Sequence, residues 1–250
     1  MTTLAFPEFL DLIEDRSAAL RGAAAGPADL EVRVPGCPDW SLRDLVAHLG
    51  FVQRFWAATI AAGPRDAPPN RAAIDGADPH GDLVAWSSES TDLLLAALRD
   101  AGPERGCWAW WDPASASWTA ASVARHQVQE AAVHAHDAQE AVGRPEPIPT
   151  VAAVDGLSGF LDVFLGSAGP WPHRPARVSV QVSQGPRWLV DLAERGSLVV
   201  EDDGTAPAVR LEGSASDLLL FLNGRLGPDR IRVEGDRALV EALLAWPDLT

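Results

Sequence analysis

The sequence predicts an α plus α+β protein: a four-helix bundle within residues 1–146, followed by a small α+β domain over 150–250. Two observations predict it. Before residue 143, four long segments carry apolar residues at helical spacing; after the proline-rich Gly143-Arg-Pro-Glu-Pro-Ile-Pro149, the periodicity shortens to the alternation of strands. A chain of 250 residues that is 47% hydrophobic and 22% charged can also bury a sizeable core.

Each element has its own signal. Phe6, Phe9, Leu10, Ile13 and Leu20 set a first helix over about 6–22, and a Pro/Gly-rich connection follows. Ser41, with Asp44 three residues on, reads as a capping box. Leu42, Leu45, Val46, Leu49, Val52 and Phe55 then carry a second helix to about 62. Residues 63–80 are rich in Pro, Gly, Asp and Asn and read as a loop, and a third helix covers about 81–101. The stretch Cys107-Trp-Ala-Trp-Trp-Asp-Pro113 precedes a fourth helix that Thr119 caps and that runs to about 142. Beyond the linker a helix is expected at about 152–165, then strands at 177–182, 188–192, 198–200 and 209–211. Helices at about 214–223 and 236–245 flank a last short strand near 231–233.

Thirty-five acidic against twenty basic residues give a net charge of −15, which repels nucleic acid and anionic membrane surfaces. All twenty basic residues are Arg, and Tyr is absent, so a Lys nucleophile or a Tyr acid is excluded. Cys37 and Cys107 form neither a CxxC motif nor a disulfide framework, and a structural role is expected of both. The N-terminus lacks a basic leader and no run of 18 apolar residues occurs, so a soluble, cytoplasmic protein is expected.

The chemistry concentrates on two helices. Glu130 and His134, four apart, lie one above the other on the fourth helix, and His48 sits beside Leu45, Leu49 and Val52 on the inward face of the second. Two imidazoles and one carboxylate make a His2Glu set that leaves part of an ion's coordination open. On the same stripe Asp137 is placed to accept from the second nitrogen of a ligating histidine, and His126 lies one turn before Glu130. The spacing also suits a polar, solvent-facing helix side, and a lone inward His also suits a satisfied core residue. Trp108, Trp110, Trp111 and Trp118 either wall a substrate pocket or pack the core.

Three stretches together resemble the mycothiol-dependent maleylpyruvate isomerase family: Val34-Pro-Gly-Cys-Pro-Asp-Trp-Ser-Leu-Arg-Asp-Leu-Val-Ala-His-Leu-Gly50, the helix holding Arg125-His126, Glu130, His134 and Asp137, and Gly213-Ser-Ala-Ser-Asp-Leu-Leu-Leu-Phe-Leu-Asn-Gly-Arg225 with Val233-Glu-Gly-Asp236. The resemblance spans nearly the whole chain. It implies a DinB-like metal-binding bundle with a sterol-carrier-like C-terminal domain. It further implies that His48, Glu130 and His134 hold a divalent metal, usually zinc, and that mycothiol takes the open position. Arg225 becomes the catalytic candidate, holding a substrate carboxylate; the other reading of it is a helix C-terminal cap. Arg125 keeps its place in the family pattern Arg-Arg-x-x-His-Glu and is the cofactor-binding candidate. Where that pattern and the following His-Arg-x-Asp have Arg, His and Arg, this chain has His126, Gln129 and Ala135.

The expected function is a metal-dependent enzyme in which a low-molecular-weight thiol attacks a small electrophilic substrate, with S-transfer ranked ahead of isomerisation because those neighbours differ. A His2Glu metal hydrolase and a non-catalytic metal- or ligand-binding protein remain the alternatives. Nothing in the sequence fixes the oligomeric state.

Overall fold

The computed structural model describes residues 4–25 and 29–247. They divide into two compact units: one of residues 4–110 and 117–148, the other of Trp111–Ala116 and residues 149–247.

The first unit is the bundle. In α1 (Phe6–Ala24) the buried residues Phe9, Leu10, Ile13, Ser17, Leu20 and Ala24 follow the helical stripe, and Glu8 closes the first turn by accepting from the Ala5 amide at 2.7 Å. A short antiparallel hairpin follows, β1 (Arg33–Val34) and β2 (Cys37–Ser41). The sequence reading has only a connection there, because strands of two and five residues are too short to show alternation. The hairpin leads straight into α2 (Leu42–Ala62), whose start has the expected cap: Asp44 accepts from the Ser41 amide at 2.9 Å while Ser41 Oγ accepts from the Asp44 amide at 3.2 Å. Gly63, at φ 71°, ends the helix where a side chain would be strained. Asp82 caps α3 (Leu83–Ala101), and Thr119 caps α4 (Ala120–Ala141).

Helix α1 packs chiefly on α4, and α2 on α3. Ala131, Ala135 and Ala138 of α4 let Leu20, Leu45, Val46 and Leu49 come close, which builds the core around the middle of that helix. Between α2 and α3, Arg54 is buried yet satisfied: Nε donates to Ser90 Oγ at 2.8 Å, Nη1 to the Asp75 carbonyl at 3.0 Å, and Nη2 pairs with Glu89. Both α2 and the run Thr150–Ser167 are long and apolar enough to cross a membrane, and about half of each is buried inside the fold (50% and 56%). A buried guanidinium hydrogen-bonded from α2 marks that helix as a core element.

In the second unit α5 (Thr150–Gly159) continues through a π-helical turn, Phe160–Phe164, into α6 (Leu165–Ser167), so the single expected helix is longer and widened in its middle. Five strands follow: β3 (Ala176–Val182), β4 (Arg187–Ala193), β5 (Gly196–Val200), β6 (Val209–Gly213) and β7 (Arg232–Gly235). Their order is β5-β4-β3-β6-β7, with β3 and β6 parallel and the other pairs antiparallel. Val178, Val180 and Val182 put one face of the central strand inside. Ser214 caps α7 (Ala215–Leu222), which packs against α5 and the sheet, and Asp236 caps α8 (Arg237–Ala245). This is the α plus α+β class expected.

Candidate metal centre

The bundle brings His48, Glu130 and His134 together. Their ligand atoms all lie within 4.8 Å of one another. His48 Nε2 is 3.0 Å from Glu130 Oε1 and His134 Nε2 is 3.4 Å from the same oxygen, so one carboxylate atom faces both imidazoles. The rings meet edge to face with centroids 5.1 Å apart.

This convergence follows from local sequence. The i, i+4 spacing stacks Glu130 under His134, and α4 is alanine-rich enough for α2 to deliver His48 across the interface. The side chains are 30%, 19% and 9% exposed for His48, Glu130 and His134, so the cluster opens to solvent on the His48 side.

Asp137 lies behind. It is wholly buried, and its Oδ2 accepts from His134 Nδ1–H at 2.9 Å, which fixes the tautomer and turns Nε2 toward Glu130 and His48. Burial disfavours the charged His134 ring, but hydrogen bonds to Asp137 and Glu130 outweigh it and raise the pKa to about 9. Burial likewise pushes the Glu130 carboxyl up. The hydrogen bonds from His134 and His48 prevail and hold it well below the usual carboxylate range. A preformed anion ringed by two imidazoles, one oriented by a buried carboxylate, is a donor set that fits a divalent metal ion.

His126 is half-buried one turn earlier, edge-on to Trp56 and to Trp110, each with centroids 5.8 Å away. Burial lowers its pKa, against the pull of the Glu130 charge, so it stands as a neutral ring in an aromatic wall. Trp108 continues that wall beside Trp56 and Phe55, with centroids 6.3 and 6.1 Å apart. The tryptophans thus divide: Trp108 and Trp110 belong to the wall, Trp111 is 2% exposed, and Trp118 is half-buried. Arg125 is a half-buried neighbour of His126 on α4. Arg225 belongs to the second unit, where Nη1 donates to the carbonyl of Asn223, the C-cap residue of α7, at 2.7 Å, the contact of the capping reading.

Two residues of β2 border the cluster without having been singled out as part of it. Trp40 lies 4.6 Å from the His48 ring and 6.1 Å from that of His134. Cys37, of which a structural role is expected, has its Sγ 4.0 Å from Asp137 Oδ2 and clusters with Asp137 and His134. Both sit on β2, the strand that carried no periodicity signal. Cys107 is buried, and burial raises its thiol to about 11.

Residues 10–139 match the family model described as the mycothiol maleylpyruvate isomerase N-terminal domain, and residues 151–242 match the MDMPI C-terminal domain. Two crystal structures are similar over 99% of both chains: the mycothiol-dependent maleylpyruvate isomerase, at 17% identity, and a histidine-to-alanine mutant of it, at 16%. The TM-score is 0.64 for each, which shows a shared fold. Among curated proteins none matches.

Proposed function

This chain belongs to the mycothiol maleylpyruvate isomerase family, and from that premise we propose that it is a metal-dependent enzyme that uses mycothiol against a small electrophile. The observation that carries the reading is the meeting of His48, Glu130 and His134 around one point, with Asp137 holding His134 in register.

His48, Glu130 and His134 would hold the ion, zinc by donor preference. When bound, such an ion supplies Lewis acidity that lowers the pKa of a thiol enough to keep it a thiolate near neutral pH. The chain does the rest. Glu130 brings the negative charge, Asp137 keeps a proton on His134 Nδ1, and the exposed side of His48 leaves an approach for a thiol. Arg125 is the proposed contact for the cofactor. Trp56, Trp110 and the uncharged His126 offer a surface for the apolar part of the substrate. The departures from the family pattern at His126, Gln129 and Ala135 rank S-transfer ahead of isomerisation of a dicarboxylate. Arg225 is kept as the proposed anchor for a substrate carboxylate. Reduced cysteines and an acidic surface fit a cytoplasmic location.

Metal content of the wild type and of His48→Ala, Glu130→Ala and His134→Ala tests the premise; unchanged stoichiometry in all three would remove it. Mycothiol should then perturb the spectrum of the cobalt-substituted protein. An unperturbed spectrum with ester or amide turnover would favour hydrolysis, and one with no turnover would favour a binding protein.

A further inference from the structure

His134 borders two clusters. On one side stand His48 and Glu130; on the other, Cys37 and Asp137 have ligand atoms within 4.8 Å of each other and of a His134 nitrogen. Cys37 arrives from a different element, the β2 strand, and is in no disulfide. It is half-buried, so an ion in solution can reach it, while Asp137 behind it is wholly buried.

From this juxtaposition we infer a second cation site, formed by Cys37, His134 and Asp137 and suited to thiophilic ions such as cadmium or copper(I). Ligand softness distinguishes the two sets: imidazole and carboxylate are borderline to hard donors, whereas the thiolate adds affinity for softer ions. Ligation releases the Cys37 thiol proton, and the proton on the His134 nitrogen that is used, to solvent. The Asp137 carboxylate needs no protonation step and supplies the charge that offsets the ion. Three protein ligands leave the coordination incomplete on the Cys37 side, where water completes it. The site shares His134 and Asp137 with the proposed enzymatic reading, in which Asp137 orients His134 and does not ligate, and differs from it in using Cys37 in place of His48 and Glu130.

Cadmium alone, added to the metal-free protein, tests the site through the ultraviolet charge-transfer band of a cadmium–thiolate bond. The wild type and His48→Ala are expected to show the band, Cys37→Ser to lack it, and Asp137→Asn to need roughly tenfold more cadmium. In the unmutated protein, cadmium should also protect Cys37 from alkylation, read by peptide mass spectrometry. A full-strength band in Cys37→Ser would assign the ion to Cys107 and overturn the site, and so would alkylation of Cys37 at an undiminished rate. His48→Ala separates the two readings. It removes a proposed zinc ligand but none of the ligands for cadmium, so failure of either reading leaves the other standing.

Discussion

At Asp137 a wholly buried carboxylate accepts from His134 Nδ1–H, 2.9 Å away, and this puts the residue behind the proposed metal ligands as a group that orients His134. Asp137→Asn retains the volume but loses the charge and allows the wrong tautomer. Metal affinity measured by equilibrium dialysis should fall roughly 10- to 100-fold. For Arg225 the two readings diverge in what they change. A substrate anchor predicts that Arg225→Ala raises KM for carboxylate-bearing substrates only, whereas loss of the bond to Asn223 lowers thermal stability and leaves KM alone. Glu130 and His134 were legible because a helix repeats every 3.6 residues, and His48 because its neighbours Leu45 and Leu49 face inward. Cys37 and Trp40 were not, since what brings them to His134 and His48 is a turn between two strands too short to carry a pattern.

At the scale of elements, α2 is the best-specified piece of the chain and the most constrained. Its cap is electrostatic: hydrogen bonds from the Ser41 hydroxyl and amide hold the Asp44 carboxyl below its ordinary range. A depressed folded pKa means stabilisation that is complete above the unfolded value and disappears as pH falls through the folded one. Asp44→Asn should therefore cost about 0.5–1 kcal/mol at neutral pH, with the difference closing below about pH 4. Urea unfolding of both proteins at two pH values checks it. Farther along, a Cβ on Gly50 would lie 2.2 Å from Cζ3 of Trp86, whose indole is pinned by its bond to the Gly76 carbonyl at 2.9 Å. Overpacking then outweighs the gain in helix propensity of roughly 1 kcal/mol, so Gly50→Ala should destabilise by about 1–3 kcal/mol, seen as a lower melting temperature. The long helices announced themselves through caps and stripes. The π turn at Phe160–Phe164 did not, because periodicity cannot distinguish one added residue per turn over so short a run.

For the whole molecule, the division into bundle and α+β region follows from the change of period near Pro149, and residues 1–146 and 150–250 are the proposed domains. The stretch Trp111–Ala116 was not legible as part of the second unit, since sequence order offers no hint of it. Inside that unit the Asp112 amide donates to Ser167 Oγ at 3.0 Å, and a side chain at Gly166 would meet Ser115. Trp111 is buried to 2% exposure, so Trp111→Ala should destabilise the protein by about 3–5 kcal/mol, read from denaturant unfolding.

The connection between α3 and α4 thus lends six residues, Trp111–Ala116, to a region whose remaining chain begins at Pro149. A recombination event breaking the gene at the proline-rich linker would hand the new host a C-terminal half without Trp111, so shuffling among relatives should succeed only when that insert travels too.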